Sequence, residues 1–287
     1  MANPEILIAA GRAIEDAGIA ESVRLPGLVE QTLGAGFRSA TARIDKLASI
    51  HPSAIIQDGA VIPATASIGK DVIIGRGVTL GDDAEINFGV KLGDNAVIGD
   101  KVIVGSNVVL ENGVKIGDSS YVGYDSKIGA SSEIGTNAHL AYRTDIGAGS
   151  RVGNDSQVWA GGILGNNVTL ADGVRIGKGT ELGDNIIVGA GSRIGHGATV
   201  ESGSQLGNFA SVADRYVVAE GSQVKDGARL GKIPSGKMPE FNEDKEARSI
   251  ARFRGISNPN GFQMGRALGV ARAANRTARE EASFWTV

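Results

Sequence analysis

A six-residue period dominates the sequence between residues 50 and 230. Every sixth residue of this stretch, from Ile50 to Leu230, is Ile, Leu or Val. The next residue is most often Gly, and the residue four places after the aliphatic one is small or β-branched, as Ala66, Val72 and Ser132 illustrate. A repeat of this regularity indicates a fold that is built by stacking similar units.

One large aliphatic residue in six cannot line a helix face, which needs an apolar residue about every 3.6 positions. The pattern is typical of short strands joined by tight turns, with Asn or Gly, such as Gly129, where the backbone requires a positive φ. Three strands close a triangular coil of 18 residues, so residues 50–230 predict about ten coils. The aliphatic side chains fill the axis of a rod about 48 Å long, at about 4.8 Å per coil.

This repeat resembles that of the hexapeptide-repeat, left-handed parallel β-helix family. The resemblance, and not the period, implies the left hand, because crossovers between parallel strands are usually right-handed. Family members are mostly acyltransferases that use acyl-CoA or acyl-carrier protein, typically as trimers with sites between subunits; others are γ-class carbonic anhydrases or non-catalytic scaffolds. The predicted fold class is an all-β solenoid, a left-handed parallel β-helix of about ten coils with short α-helical N- and C-terminal appendages.

The extent of the period divides the chain into three parts. They are an N-terminal helical cap at 1–49, the β-helix at 50–232 and a C-terminal helical extension at 233–287. One helix is predicted to begin after Asn3 and Pro4, and a second over 26–48 would cover the open end of the first coil. Further helices are predicted at 242–253 and 262–283, and the helical ends are candidate surfaces for a protein partner.

The C-terminal extension is locally basic. Seven arginines and no acidic residue lie between residues 247 and 279. They are compatible with a solvated helix face that balances an acidic rod, or with a clamp for a phosphate-bearing cofactor or another anionic partner. The arginines are Arg248, Arg252, Arg254, Arg266, Arg272, Arg276 and Arg279.

Composition narrows the classes of function. The formal net charge is −3 at pH 7 and no nucleic-acid recognition motif is present, so nucleic acid is not expected as a partner. The chain has no cysteine, which excludes disulfides, thiolate chemistry and cysteine-ligated metals. No run of residues is apolar and long enough for a membrane span or a signal sequence, so a cytoplasmic location is expected.

The period also predicts which side chains meet, because residues 18 apart stack directly. His139 stacks over Tyr121, Tyr142 stacks over Tyr124, and Trp159 lies one coil up beside the column of Tyr142. These side chains are predicted to gather at one outward corner of a rod whose surface is otherwise small and polar. Such a cluster is explained either by packing at the seam of a homotrimer or by a ligand in that seam.

If a ligand occupies the seam, His139 is the expected catalytic residue. It would act as general base and take a proton from an acceptor amine or hydroxyl that attacks a thioester. Arg143 lies over Asp125 and would anchor an anionic group of the ligand. The predicted substrate-binding residues are Tyr121, Tyr124, Tyr142, Arg143 and Trp159.

The segment around His139 resembles a family motif. Asn137-Ala138-His139-Leu140-Ala141-Tyr142 is similar to the Asn-Ala-His-Ile-Ala-His segment of the UDP-N-acetylglucosamine acyltransferases of lipid A synthesis, and residues 50–54 are similar to that family's entry into the first coil. The resemblance implies that the second histidine of the segment is the base. This chain has Tyr142 there, and tyrosine is a poor base at neutral pH.

Two functions therefore stand on the sequence. The first is an acyltransferase that moves an acyl group from CoA or acyl-carrier protein, as substrate rather than resident cofactor, to an amine or hydroxyl. The second is a non-catalytic trimeric scaffold, favoured by Tyr142 and by a repeat without insertions. Carbonic anhydrase is excluded, because His51, His139 and His196 are too far apart along the rod to share one zinc ion.

Overall fold

The computed structural model describes residues 28–29 and 37–231. This part of the chain consists of short β-strands and turns and contains no helix, hence none that could cross a membrane. The strands form three sheets, A, B and C, and the chain visits each sheet in turn. The sheets are therefore the faces of a triangular prism, wound as a left-handed parallel β-helix.

The strands, numbered in chain order, divide among the three sheets as follows. Sheet A contains β1 (Leu28–Val29), β2 (Phe37–Ser39), β5 (Ile55–Ile56), β8 (Ile73–Ile74), β11 (Lys91–Leu92), β14 (Val109–Leu110), β17 (Lys127–Ile128), β20 (Asp145–Ile146), β23 (Ile163–Leu164), β26 (Glu181–Leu182), β29 (Thr199–Val200) and β32 (Val217–Val218). Sheet B contains β3 (Arg43–Ile44), β6 (Val61–Ile62), β9 (Thr79–Leu80), β12 (Val97–Ile98), β15 (Lys115–Ile116), β18 (Glu133–Ile134), β21 (Arg151–Val152), β24 (Thr169–Leu170), β27 (Ile187–Val188), β30 (Gln205–Leu206) and β33 (Gln223–Val224). Sheet C contains β4 (Ser49–Ile50), β7 (Ser67–Ile68), β10 (Glu85–Ile86), β13 (Ile103–Val104), β16 (Tyr121–Val122), β19 (His139–Leu140), β22 (Gln157–Val158), β25 (Arg175–Ile176), β28 (Arg193–Ile194), β31 (Ser211–Val212) and β34 (Arg229–Leu230).

Each two-residue strand of the coils directs its first side chain outward and its second toward the axis. The second residue is the periodic aliphatic one, and Ile56, Ile128 and Leu140 among them are fully buried. Parallel pairing places Ile128 beside Ile146, one coil later, so the aliphatic residues form continuous columns. Burying each such side chain stabilises the fold by roughly 1.5–3 kcal/mol. The predicted axis is confirmed.

The glycine that follows the axial residue is required by close packing and not by its φ. The positive φ falls two residues later, as at Ser131 (φ 59°) and Arg143 (φ 55°). A Cβ built on Gly129 would lie 2.5 Å from the backbone nitrogen of Ala148, one coil later. The expectation that Gly129 itself needs a positive φ is therefore wrong. Glycine is needed there because the turn of the next coil lies directly on its backbone and leaves no room for a Cβ.

The β-helix begins at Phe37, inside the segment predicted to be a helical cap. Within the described residues the helix predicted over 26–48 is wrong, because β1, β2 and β3 are strands and β1 pairs antiparallel with β2. Ile44 continues the axial series, but six residues earlier the series has Arg38, which pairs with Ile56. The aliphatic period therefore cannot be recognised in this part of the sequence. The rod thus has eleven coils, matching the 11 strands of sheets B and C. The other predicted helices and the seven C-terminal arginines lie outside the described residues.

Candidate functional site

The turns that join sheet C to sheet A form one edge of the prism, which we call the aromatic edge. Between residues 87 and 216 its aromatic and imidazole rings come from the turns at 87–90, 123–126, 141–144, 159–162, 195–198 and 213–216, and are Phe88, Tyr124, Tyr142, Trp159, His196 and Tyr216. The rings of Tyr124 and Tyr142 stack 4.8 Å apart with 13° between their planes. This contact confirms the stacking predicted from the 18-residue coil. Phe88 is 46% exposed, whereas Tyr124, Tyr142 and Trp159 are half-buried.

Trp159 extends the edge further than the sequence indicated. Its ring meets that of His196 edge-on, with centroids 5.5 Å apart and planes at 63°. The indole therefore reaches across the intervening turn, where Gly177 and Gly179 flank Lys178. The sequence placed Trp159 beside the column of Tyr142 and did not connect it with His196, because stacking arithmetic considers only neighbours 18 apart. The small residues between the two rings are the signal that could have revealed the contact.

The outward residues of sheet C form a second column beside the aromatic edge. Tyr121, His139, Gln157 and Arg175 lie on successive strands in register. The rings of Tyr121 and His139 stack 5.0 Å apart at 24°. All four side chains are buried, and His139 is only 6% exposed. The expectation of a solvent-exposed histidine at this position is therefore wrong, because the side chain points outward from the coil yet is not open to water.

Burial changes the chemistry of His139. Desolvation of its charged form lowers the pKa of His139 to about 4, against 6.5 for an unperturbed histidine. The imidazole is consequently neutral at pH 7 and able to accept a proton. It is also a weaker base than an exposed histidine, because the protonated product would be held in a poorly solvated place. The role of general base for His139 stays a prediction.

The other two histidines use one ring nitrogen inside the fold. The Nδ1 atom of His51 accepts a hydrogen bond from the backbone N–H of Ser53 at 3.2 Å. The Nδ1 atom of His196 accepts one from the backbone N–H of Lys178 at 2.8 Å. In the neutral form of each ring the proton therefore lies on Nε2, which acts as a donor. Neither side chain presents a basic nitrogen to solvent in this arrangement.

Arg143 occupies its predicted place over Asp125. Its Nε atom lies 4.0 Å from Oδ2 of Asp125, and the other carboxylate oxygen accepts a 3.1 Å hydrogen bond from Nδ2 of Asn107. The Arg143 side chain is 69% exposed. An ion pair this open to water contributes little to stability, so most of the guanidinium's hydrogen-bonding capacity faces solvent. Arg143 is thus placed next to Tyr142 with its charge accessible to a ligand.

Other parts of the described chain hold no rival site of the predicted kinds. No group of three His, Cys, Asp or Glu side chains in it is close enough to hold a metal ion. A shallow groove on sheet A is lined by residues that include Ile73, Lys91 and Val109. None of the predicted catalytic or substrate-binding residues lines this groove.

Comparisons with known proteins agree with the repeat. The family model described as the hexapeptide repeat of succinyl-transferase matches residues 71–100 and 173–196. A search of curated proteins found no match to the sequence.

Solved structures similar to this chain include three UDP-N-acetylglucosamine acyltransferases. The one from Campylobacter jejuni is 21% identical, with 63% of this chain and 69% of that chain covered and a TM-score of 0.32. The Arabidopsis structure is 16% identical, with 85% and 97% covered and a TM-score of 0.34. The Francisella novicida structure is 18% identical, with 82% and 88% covered and a TM-score of 0.27.

The coil and the matched repeats define the class of protein as a hexapeptide-repeat, left-handed β-helix protein. The two matched segments of the coil are similar to the hexapeptide repeat described for succinyl-transferase.

Proposed function

We propose that this chain is an acyltransferase that transfers an acyl group from CoA or acyl-carrier protein to an amine or hydroxyl. The observation that carries the proposal is the aromatic edge, where the rings of Tyr124 and Tyr142 stack, the ring of Trp159 meets that of His196, and the exposed Arg143 follows Tyr142 directly. Large half-buried rings beside an exposed guanidinium suit a ligand that has both a planar ring and an anionic group. The succinyl-transferase type of the matched repeats supports an acyl group as the cargo.

The donor would lie along the aromatic edge. The stacked rings of Tyr124 and Tyr142 cover each other's facing sides, so an aromatic base would stack on the outer face of one of them. Arg143 follows Tyr142 directly and can pair with a phosphate group of the same donor. In a homotrimer with parallel rods, a second copy would close this edge into a seam and exclude water from the ligand. The homotrimer is part of the proposal.

Acyl transfer requires a proton acceptor near the donor's thioester. The acceptor's oxygen or nitrogen attacks the thioester carbon and loses its proton to a base; the carbon–sulfur bond then breaks, and the thiolate takes up a proton. His139 is neutral at pH 7 and can receive that proton from a ligand held beside Tyr121. Its lowered pKa makes it a weak base, so the seam must stabilise the imidazolium as it forms.

A second candidate function is the non-catalytic trimeric scaffold. The specific observation in its favour is the state of the three histidines. Burial lowers the pKa of His139 to about 4, and the Nδ1 atoms of His51 and His196 are occupied by backbone N–H donors. A rod without an accessible base can still bind partners along its edge, so ligand binding must be measured apart from turnover.

Calorimetric titration with CoA, acetyl-CoA and acyl-carrier protein separates the two functions. We expect binding by the wild type and weaker binding by Arg143→Ala. A matched control is Arg151→Ala on sheet B, because Arg151 is 67% exposed and also lies near a carboxylate, that of Glu133 at 3.5 Å. With a donor identified, His139→Ala should reduce turnover by roughly 10²–10⁴ and leave binding intact. If none of these donors binds the wild type, the acyltransferase function is rejected in favour of the non-catalytic scaffold.

A further inference from the structure

The turns of the coils contain a recurring hydrogen bond that fixes one coil to the next. The backbone N–H of the second residue of a four-residue turn donates to the side chain 18 residues later, as Asp94 does to Asn112 (2.8 Å) and Ala190 does to Asn208 (2.9 Å). The accepting side chain is almost always Asp or Asn. The acceptors are Asp94, Asp100, Asn112, Asp118, Asn154, Asn166, Asp172, Asp184, Ser202, Asn208, Asp214, Asp226 and His196.

His196 is the histidine in this series. Its Nδ1 atom accepts the N–H of Lys178 at 2.8 Å, which is the same bond that Asn and Asp accept in the other turns. A short amide or carboxylate is therefore sufficient to hold the coils together at this position. The histidine adds two features that Asn and Asp lack: a ring that contacts Trp159, and an Nε2–H donor whose tautomer is fixed by the Lys178 bond.

We infer that His196 binds the ligand by donating a hydrogen bond from Nε2 to a phosphoryl oxygen. Its Nδ1 is engaged by the backbone and its ring is held against Trp159, so the donor is preorganised and little conformational entropy is lost on binding. The inference deepens the proposed function and rests on it only for the identity of the ligand, a phosphate-bearing acyl donor.

Two cationic residues beside His196 favour an anion as the acceptor of its Nε2–H hydrogen bond. Lys178 precedes His196 by one coil in the same column, and the adjacent column places Arg215 one coil later; both residues are exposed. The Cγ atom of Arg215 lies 3.6 Å from the position of a Cβ on Gly197, so the arginine stem covers that glycine. The nearby carboxylate of Asp214 already accepts the backbone N–H of His196 at 2.8 Å. A donor flanked by lysine and arginine favours an oxygen with negative charge.

The backbone leaves room for that ligand. A Cβ on Gly179 would meet no atom within 4 Å, so the turn between Trp159 and His196 is open on its outer side. The same surface continues along the aromatic edge to Arg143, where the donor's other anionic group is proposed to bind. His196 and Arg143 would thus hold two separate phosphate groups of one extended ligand.

The variant His196→Asn separates the two roles of the side chain. Asn can accept the Lys178 N–H as Asn112 and Asn208 accept theirs, so we expect only the small decrease in melting temperature that follows from losing the ring contact with Trp159. Losing one hydrogen bond to a charged group should weaken the binding of CoA and of inorganic diphosphate by roughly ten- to a hundredfold. Asn208→Ala is the matched control, because it removes a turn acceptor on another edge and should lower the melting temperature without changing either affinity.

Ring-nitrogen NMR of the wild type supplies the direct readout. Free protein should show the Nε2–H tautomer at His196, and CoA and diphosphate should both shift the His196 signals. The inference is overturned if neither ligand moves these signals, or if His196→Asn binds both as tightly as the wild type does. Diphosphate binding without CoA binding would retain the His196 site and reject the proposed donor. CoA binding that His196→Asn leaves unchanged would retain the donor and reject the site.

Discussion

The buried imidazole of His139 should make the protein's stability depend on pH. Its pKa is about 4 in the folded state and about 6.5 in the unfolded chain. As pH falls below 6.5, His139 becomes protonated in the unfolded chain but stays neutral in the folded protein. The free energy of unfolding is therefore highest above that pH and declines toward pH 4. At pH 4.5 the two values correspond to a loss of roughly 2–3 kcal/mol relative to neutral pH. Below pH 4 both states are protonated and the loss levels off.

The matched variant is His139→Gln. Gln157 is buried in the next strand of the same column, so glutamine suits this environment and carries no titrating group. Denaturant unfolding of both proteins at pH 7.5, 6, 5 and 4.5 would give the difference in unfolding free energy, in which the common contribution of the carboxylates cancels. The wild type should lose about 2–3 kcal/mol more than His139→Gln over this range. Two curves that remain parallel would refute the burial argument.

Three further outcomes test the packing and the assembly. Gly129→Ala should cost roughly 1–3 kcal/mol and lower the melting temperature more than Lys115→Ala does, because the new Cβ meets the backbone of the next coil at 2.5 Å whereas the Lys115 side chain is exposed. Ile128→Asp places an unpaired charge on the dry axis and should lower the melting temperature by far more than Lys115→Ala, which only breaks an exposed ion pair. Similar melting temperatures for these two variants would reject the assignment of Ile128 to the axis. Sedimentation at micromolar concentration should give a trimer, and a monomer would remove the proposed seam.

The fold was predictable from residues 50–230 because one strict rule, an aliphatic residue at every sixth position, determines what reaches the axis. The same rule placed Tyr124 under Tyr142 and Asp125 under Arg143 in advance. It failed before residue 50, where Arg38 stands in the axial series and Ile44 alone does not reveal a period. There, the strands β2 and β3 can be recognised only from their pairing with the next coil.

The site was less predictable than the fold, because periodicity gives the direction of a side chain but not its surroundings. His139 was correctly placed beside Tyr121, yet its burial, and with it the low pKa, depends on three-dimensional packing that stacking arithmetic does not contain. The reach of Trp159 to His196 depends on the length of the indole across a turn of small residues. The role of Gly129 depends on the distance to the next backbone, which no single-coil pattern reports.

The separation of 18 residues between neighbours in each sheet also governs how such a chain can change by insertion and deletion. Duplicating 18 residues adds one coil and lengthens the rod by about 4.8 Å, while every later side chain stays on its own face. Deleting six residues preserves the axial series equally well, yet it rotates all later residues by one face. A six-residue deletion between Tyr124 and Tyr142 would leave Tyr124 where it is and move Tyr142 to a different edge. The fold would tolerate both events, but within the stretch that carries the aromatic edge only changes in multiples of 18 would keep its side chains on one edge.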